Sequence, residues 1–177
     1  MNKRNKLAAT AEKIARRPIA DGRNGISTEL RPILAPFLNE SDGKRFDWCS
    51  AFVYYCCIQA GINLPSRHPE PVRCSFAGAW GWVDWAKLPG NRFYFSARNV
   101  SFFPMRGDLV VFDNLLNQGV CDHIGVILSC GKFAFRTAEG NVDGISRVMR
   151  RDRDRKVRGF IRIPNEHFDQ PRKKNLS

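Results

Sequence analysis

The sequence predicts an α+β domain, and three observations point to it. One strong helical pattern, Cys49 to Ala60, sits in the first half; strand patterns crowd the second half; and a proline-rich stretch between them fits neither. With 43% hydrophobic and 11% aromatic residues among 177, the chain has material for one real core, which excludes the disordered class.

The elements follow in order. Leu7 to Arg17 reads as a short basic amphipathic helix that Pro18 stops, so residues 1–24 form a basic N-terminal helical segment. Asp21 to Gly25 is a turn. Ile26, Leu30, Ile33, Leu34, Phe37 and Leu38 recur near helical spacing, but Pro32 and Pro36 restrict that region to short or broken pieces. A polar loop, Ser41 to Lys44, leads into the best helix, where Phe52, Val53, Cys56, Cys57 and Ala60 fall on helical spacing and Gly61 is the stop. Asp47 is the expected N-cap, which puts Cys49 in the first turn.

Pro65 to Pro104 is irregular and holds every tryptophan except Trp48; within it, Ala79 to Ala86 is a short helix or turn carrying aromatic rings. Strands are expected at Gly107 to Asp113, His123 to Ser129, Lys132 to Ala138, Ile145 to Met149 and Val157 to Ile163, forming an antiparallel sheet. Residues 165–177 read as a solvated basic tail, leaving 25–164 as the main domain.

The balance of 29 basic against 17 acidic residues, +12 in all, calls for an anionic partner: nucleic acid, an anionic cell envelope or acidic membrane. A nucleic-acid interface would interleave basic residues with exposed aromatics on a strand face, whereas here the strand faces are apolar and the charges gather at turns and termini, so no specific nucleic-acid partner is expected. The run Arg147 to Arg158 also contains Asp152 and Asp154 and reads as a solvated hairpin. The six cysteines have no metal-ligand spacing, and Cys56 and Cys57 are adjacent within a helix, so reduced, mostly buried thiols are expected, with no metal and no cofactor. Met1 to Thr10 runs into Glu12 and Lys13 before any long apolar stretch, so no secretory signal is read, and no segment has the ~18 apolar residues of a membrane span. The protein is expected to be made in the cytoplasm as a monomer.

One constellation carries chemistry. Cys49 heads a helix, where unpaired N–H groups and the positive dipole end favour a thiolate. Asp122-His123-Ile124-Gly125 supplies a base at the head of a strand, and Glu139-Gly140-Asn141 supplies groups to orient it. Glu139 and Asn141 differ by two, so on an extended strand they share a face and either could accept from the imidazole. Cys56, Cys57, Cys74, Cys121 and Cys130 read as filler, and His68 and His167 as structural or exposed. Trp48, Trp80, Trp82 and Trp85 are candidates to line a substrate cleft, with at least one of the last three in the core.

Taken together, Trp48 to Val53, Gly107 to Phe112, Asp122 to Val126, Glu139 to Asn141 and Gly159 to Arg162 resemble the CHAP domain over residues 25–164. That is the cysteine, histidine-dependent amidohydrolase/peptidase group, related to NlpC-type peptidases and more distantly to papain-like folds. The resemblance implies a papain-like architecture in which N-terminal helices, with the cysteine at a helix N-terminus, pack on an antiparallel sheet. It implies cleavage of amide bonds in bacterial peptidoglycan or muropeptides, with Cys49 as nucleophile, His123 as base, Glu139 as orienting carboxylate and Asn141 as a fourth polar member. The backbone N–H of Cys49 is the one oxyanion donor it supplies. Anionic wall polymers are then further partners, and the protein would reach the wall after lysis or by dedicated secretion. Alternatives are an effector acting on protein amides, as deamidase or protease, and a basic binding module without catalysis.

Overall fold

A computed structural model of the chain describes residues 3–22, 26–40, 47–65, 72–116 and 119–168. The expected loop at Ser41 to Lys44, the end of the turn at Gly25, His68 and residues 169–177 lie outside the described residues. The helices are α1 (Lys3–Ala15), α2 (Arg31–Leu34, continued by a 3-10 turn, Ala35–Glu40), α3 (Cys49–Gln59) and α4 (Ala79–Lys87). The strands are β1 (Tyr94–Ser96), β2 (Leu109–Phe112), β3 (His123–Cys130), β4 (Ala134–Val142), β5 (Ile145–Asp152) and β6 (Val157–Ile161). They form one antiparallel sheet in the order β1-β6-β2-β3-β4-β5, so the domain is α+β, with helices packed on an antiparallel sheet as expected.

α3 is buried on nearly every side, from Cys49 through Tyr54 and again at Cys56 and Cys57, because it is wedged between α1, α2 and the β3–β4 surface. A helix apolar all round takes a central position. β2 is buried at all four residues for the same reason. The helices cover one face of the sheet, while Val110, Phe112, Ile127, Phe135, Val157 and Phe160 make a second apolar cluster, with Phe102 and Leu115 packed against it.

The N-terminal helix starts at Lys3, four residues before the expected Leu7, and buries Leu7, Ala8, Ala11 and Ala15 against α3, β3 and β4. Small residues at spacings of three and four let this helix approach closely. The chain beyond it is strapped along β5: Ser146 N donates to Ile19 O (2.8 Å), Ile19 N to Ser146 Oγ (3.1 Å) and Asp21 N to Gly144 O (3.0 Å). β5 is the end strand of the sheet, and this strap covers part of its open edge.

Three further differences have physical causes. β1 was not expected, since three residues inside a proline-rich segment give no periodicity. β4 and β5 run to Val142 and Asp152, beyond the apolar residues that announced them, because hydrogen bonding continues where the side chains turn polar. The first residues of the expected tail are docked: Phe168 is buried and bridged to Ile62, and Asn63 N donates to His167 O at 2.6 Å. Among the described residues, no helix is long and apolar enough to cross a membrane.

Candidate active site

Cys49 opens α3 and is 3% exposed. The N-cap is Trp48, not Asp47 as the sequence suggested, and no side chain caps the helix head. Trp48 is set by packing: its buried ring donates Nε1–H to Asp21 Oδ1 at 2.8 Å, and its carbonyl accepts from Phe52 N at 2.9 Å. Asp47 turns instead to Asn141, whose Nδ2 donates to its Oδ1 at 2.8 Å. The N-cap side chain does not occupy the N–H groups at the head of α3, and helix-head N–H groups favour negative charge beside them.

His123 opens β3 opposite Phe112 and is fully buried. Its Nε2 lies 2.7 Å from Oε2 of Glu139, also fully buried, on β4. Gly125 makes this pairing possible, since a Cβ there would stand 2.8 Å from Glu139 Cγ. Gly140 does the same for the helix: a Cβ would meet the Phe52 Cβ at 2.5 Å and the Trp48 ring at 2.7 Å. Two glycines from the motifs thus let the carboxylate meet the imidazole and let α3 sit on β4.

Glu139 has further donors. Thr137 Oγ1 donates to Oε1 at 2.5 Å, Arg151 Nε to Oε1 at 3.0 Å, and Arg151 Nη2 to Oε2 at 2.6 Å. Burial opposes the charged carboxylate, but the hydrogen bonds and charges of His123 and Arg151 outweigh it and hold the pKa down at about 2. Burial likewise opposes charge on His123. There the Cys49 charge and hydrogen bond, then those of Glu139, prevail and raise the pKa to about 10.

The other ring nitrogen, Nδ1, is buried and has no partner at strict hydrogen-bond distance and angle, although Cys49 is close enough to dominate the upward pull on the ring. Among the other thiols, burial pushes Cys56 and Cys57 upward, and Cys121 and Cys130 to about 11.

Two expectations need correction. Asn141 does not share the imidazole with Glu139, because the β4–β5 register shifts between Glu139 and Val142 and Asn141 takes a left-handed φ of +58°, which asparagine tolerates. The two-residue period breaks there, and the side chain reaches Asp47. The aromatic cleft is also different. Trp48, Trp82 and Trp85 are buried, the last two in a cluster with Phe76 and Phe93, and buried rings present no face to a ligand. Trp80 is half-buried, with Arg73 and Arg158 guanidinium carbons 4.1 and 4.8 Å from its ring centroid.

Sequence reasoning missed Thr137 and Arg151. Thr137 had a signal, two residues from Glu139 on an extended strand. Arg151 lay within the run taken as solvated, and only the pairing of β5 with β4 brings it to the carboxylate. Among the described residues, no cluster of three or more His, Cys, Asp or Glu is placed to hold a metal ion.

In comparisons with known proteins, the family model of the CHAP domain matches residues 41–141, more than half of the chain and a span that includes Cys49, His123, Glu139 and Asn141. No curated protein and no solved structure matches the chain.

Proposed function

Because the chain belongs to the CHAP domain family, whose membership indicates amidase or peptidase chemistry, we propose that it is a cysteine hydrolase that cleaves amide bonds of bacterial peptidoglycan. The observation that carries this reading is the buried 2.7 Å contact of His123 with Glu139, beside a cysteine at an uncapped helix head.

The chemistry follows from the charges. His123 takes the thiol proton, and the Cys49 thiolate attacks the amide carbonyl carbon. The carbonyl oxygen takes up negative charge in the tetrahedral intermediate, and the N–H groups at the head of α3 stabilise it there. His123 gives its proton to the amide nitrogen, the C–N bond breaks, and the amine leaves a thioester on Cys49. A water molecule then gives a proton to His123 and attacks the thioester, releasing the carboxylic acid and restoring the pair. Glu139, accepting from Nε2, keeps Nδ1 as the atom that faces sulfur.

The net charge of +12 supports attraction to an anionic wall and its polymers, which the protein would meet as a monomer after lysis or dedicated secretion. The test is to incubate it with peptidoglycan from several sources and identify the fragments by mass spectrometry, beside a panel of protein substrates. Soluble fragments are expected from sacculi, and none with Cys49→Ala. Intact sacculi together with deamidated or cut proteins would move the substrate from wall to protein.

A further inference from the structure

Every group around the Glu139 carboxylate can donate to it. Oε2 accepts from His123 at 2.7 Å and from Arg151 Nη2 at 2.6 Å; Oε1 accepts from Arg151 Nε at 3.0 Å and Thr137 at 2.5 Å. Imidazole and hydroxyl can each donate or accept, but the Arg151 guanidinium only donates and meets both carboxylate oxygens, so it is the group that favours the ionised form. His123, Glu139 and Arg151 thereby make a hydrogen-bonded chain that runs from the imidazole through the carboxylate to the guanidinium. Arg151 is the end of that chain, 15% exposed, on β5 and beyond the 41–141 span that the family model matches. It is where this chain's own sequence completes the site.

We propose that Arg151 is a positioning residue of the active site, acting through Glu139: its charge keeps the carboxylate ionised, and its two-pronged fork aims Oε2 at His123. This rests on the Cys49–His123 reading above. The other charged groups nearby are few. Asp143, from the β4–β5 turn, acts on Arg151; Arg147, opposite Glu139 in the β5 register, points to solvent; and Glu12, from α1, is engaged by Arg16, Arg106 and Arg136. None of these replaces the fork.

Charge and geometry are separable. Removing a fixed positive charge makes every proton in the cluster bind more tightly, so in Arg151→Met the cluster takes up a proton at higher pH. In Arg151→Lys the charge stays and the fork is lost, since an ammonium is a point donor.

The test needs no substrate for its first part. The alkylation rate of Cys49, resolved from the other thiols by peptide mass spectrometry, is followed against pH for the wild type, Arg151→Met, Arg151→Lys and, as control, the exposed Arg150→Met. Arg151→Met should move the acid limb upward by about one pH unit, or about tenfold in rate on that limb. Arg151→Lys should hold the wild-type limb yet lose kcat, with KM unchanged, on whichever amide is cleaved; Arg150→Met should change neither. A merely structural role would lower the melting temperature and leave the limb and kcat of the folded protein alone, and that result overturns the proposal. Should Arg151→Met not fold, Arg151→Lys decides: a kcat equal to wild type overturns it. A wild-type Cys49 no more reactive than Cys56 would instead overturn the Cys49–His123 reading, and the proposal with it, before any variant is compared.

Discussion

Among the described residues two carboxylates are fully buried, and each is gripped by an arginine fork. Glu139 is held by Arg151 near the head of β3; Asp108, just before β2, is held by Arg162, with Nε 2.9 Å from Oδ1 and Nη2 2.7 Å from Oδ2. The difference lies in the remaining partners. Asp108 is completed by the backbone N–H of Met105 at 2.8 Å and by Arg4 at 3.8 Å, and Arg162 also donates to Phe103 O. None of those donors gives up a proton in the ordinary pH range. Glu139 instead faces an imidazole that does. Burial and a bidentate arginine are shared by both pairs, so they do not mark a functional site; a titratable third partner is what sets the Glu139 pair apart as the candidate.

The sharpest separation should come from amide replacements. Glu139→Gln and Asp108→Asn both leave a buried arginine without its countercharge and should each cost about 3 kcal/mol of folding stability in urea denaturation. Only Glu139→Gln should cut turnover per folded molecule, by about 10²–10⁴-fold yet to a detectable rate. Equal turnover in the two variants would erase the distinction.

Gly125→Ala tests the same site without touching charge. The new methyl group would press on Glu139 Cγ and displace the carboxylate from His123, and a shift of about 1 Å in such a site costs on the order of 100-fold in kcat. Unchanged kcat in a folded Gly125→Ala would show that the His123–Glu139 contact is not critical.

The pH dependence of stability should separate the pairs next. The Glu139 pKa falls from 4.5 to about 2 on folding, so its contribution is complete above pH 4.5 and disappears as pH falls through about 2. The His123 pKa rises from 6.5 to about 10, so its contribution is complete below pH 6.5 and disappears as pH climbs through about 10. Both act fully between pH 4.5 and 6.5, and stability should decline on the alkaline side. Urea titrations from pH 5 to 10 should show that decline in wild type and Asp108→Asn, and a flatter curve in His123→Ala.

The smallest effect is expected for Asn141→Ala. Its loss removes one hydrogen bond from Asp47 at the entry to α3 without touching the imidazole, so activity should fall by about tenfold or less, corresponding to one hydrogen bond to a charged group of about 1.5 kcal/mol or less. A loss matching that of Glu139→Gln would return Asn141 to a direct role on His123.

What was legible in the sequence follows from the range of the forces involved. The α3 and β2 runs are nearly all apolar and declare themselves within a few residues, and Cys49, His123 and Glu139 stand at the heads or ends of such runs. Asn141 misled because a bulge breaks the period on which a same-face inference depends. Trp82 and Trp85 misled because aromatic spacing is the same whether the rings meet each other or a ligand. Arg151 was illegible: its partner is set by how β5 registers on β4, and a local window sees only another charge among arginines.

The strap of residues 17–21 along β5 also has a consequence in time. The thiol is synthesised about 100 residues before the strand that receives the strap and carries Arg151, some 5–20 s at ordinary translation speeds. Until then the nascent chain carries a nucleophile without its activating partners, and the N-terminal segment has no edge to bind. Arming the enzyme and closing its fold are therefore the same event, so an incomplete polypeptide released early would be inert rather than a loose hydrolase.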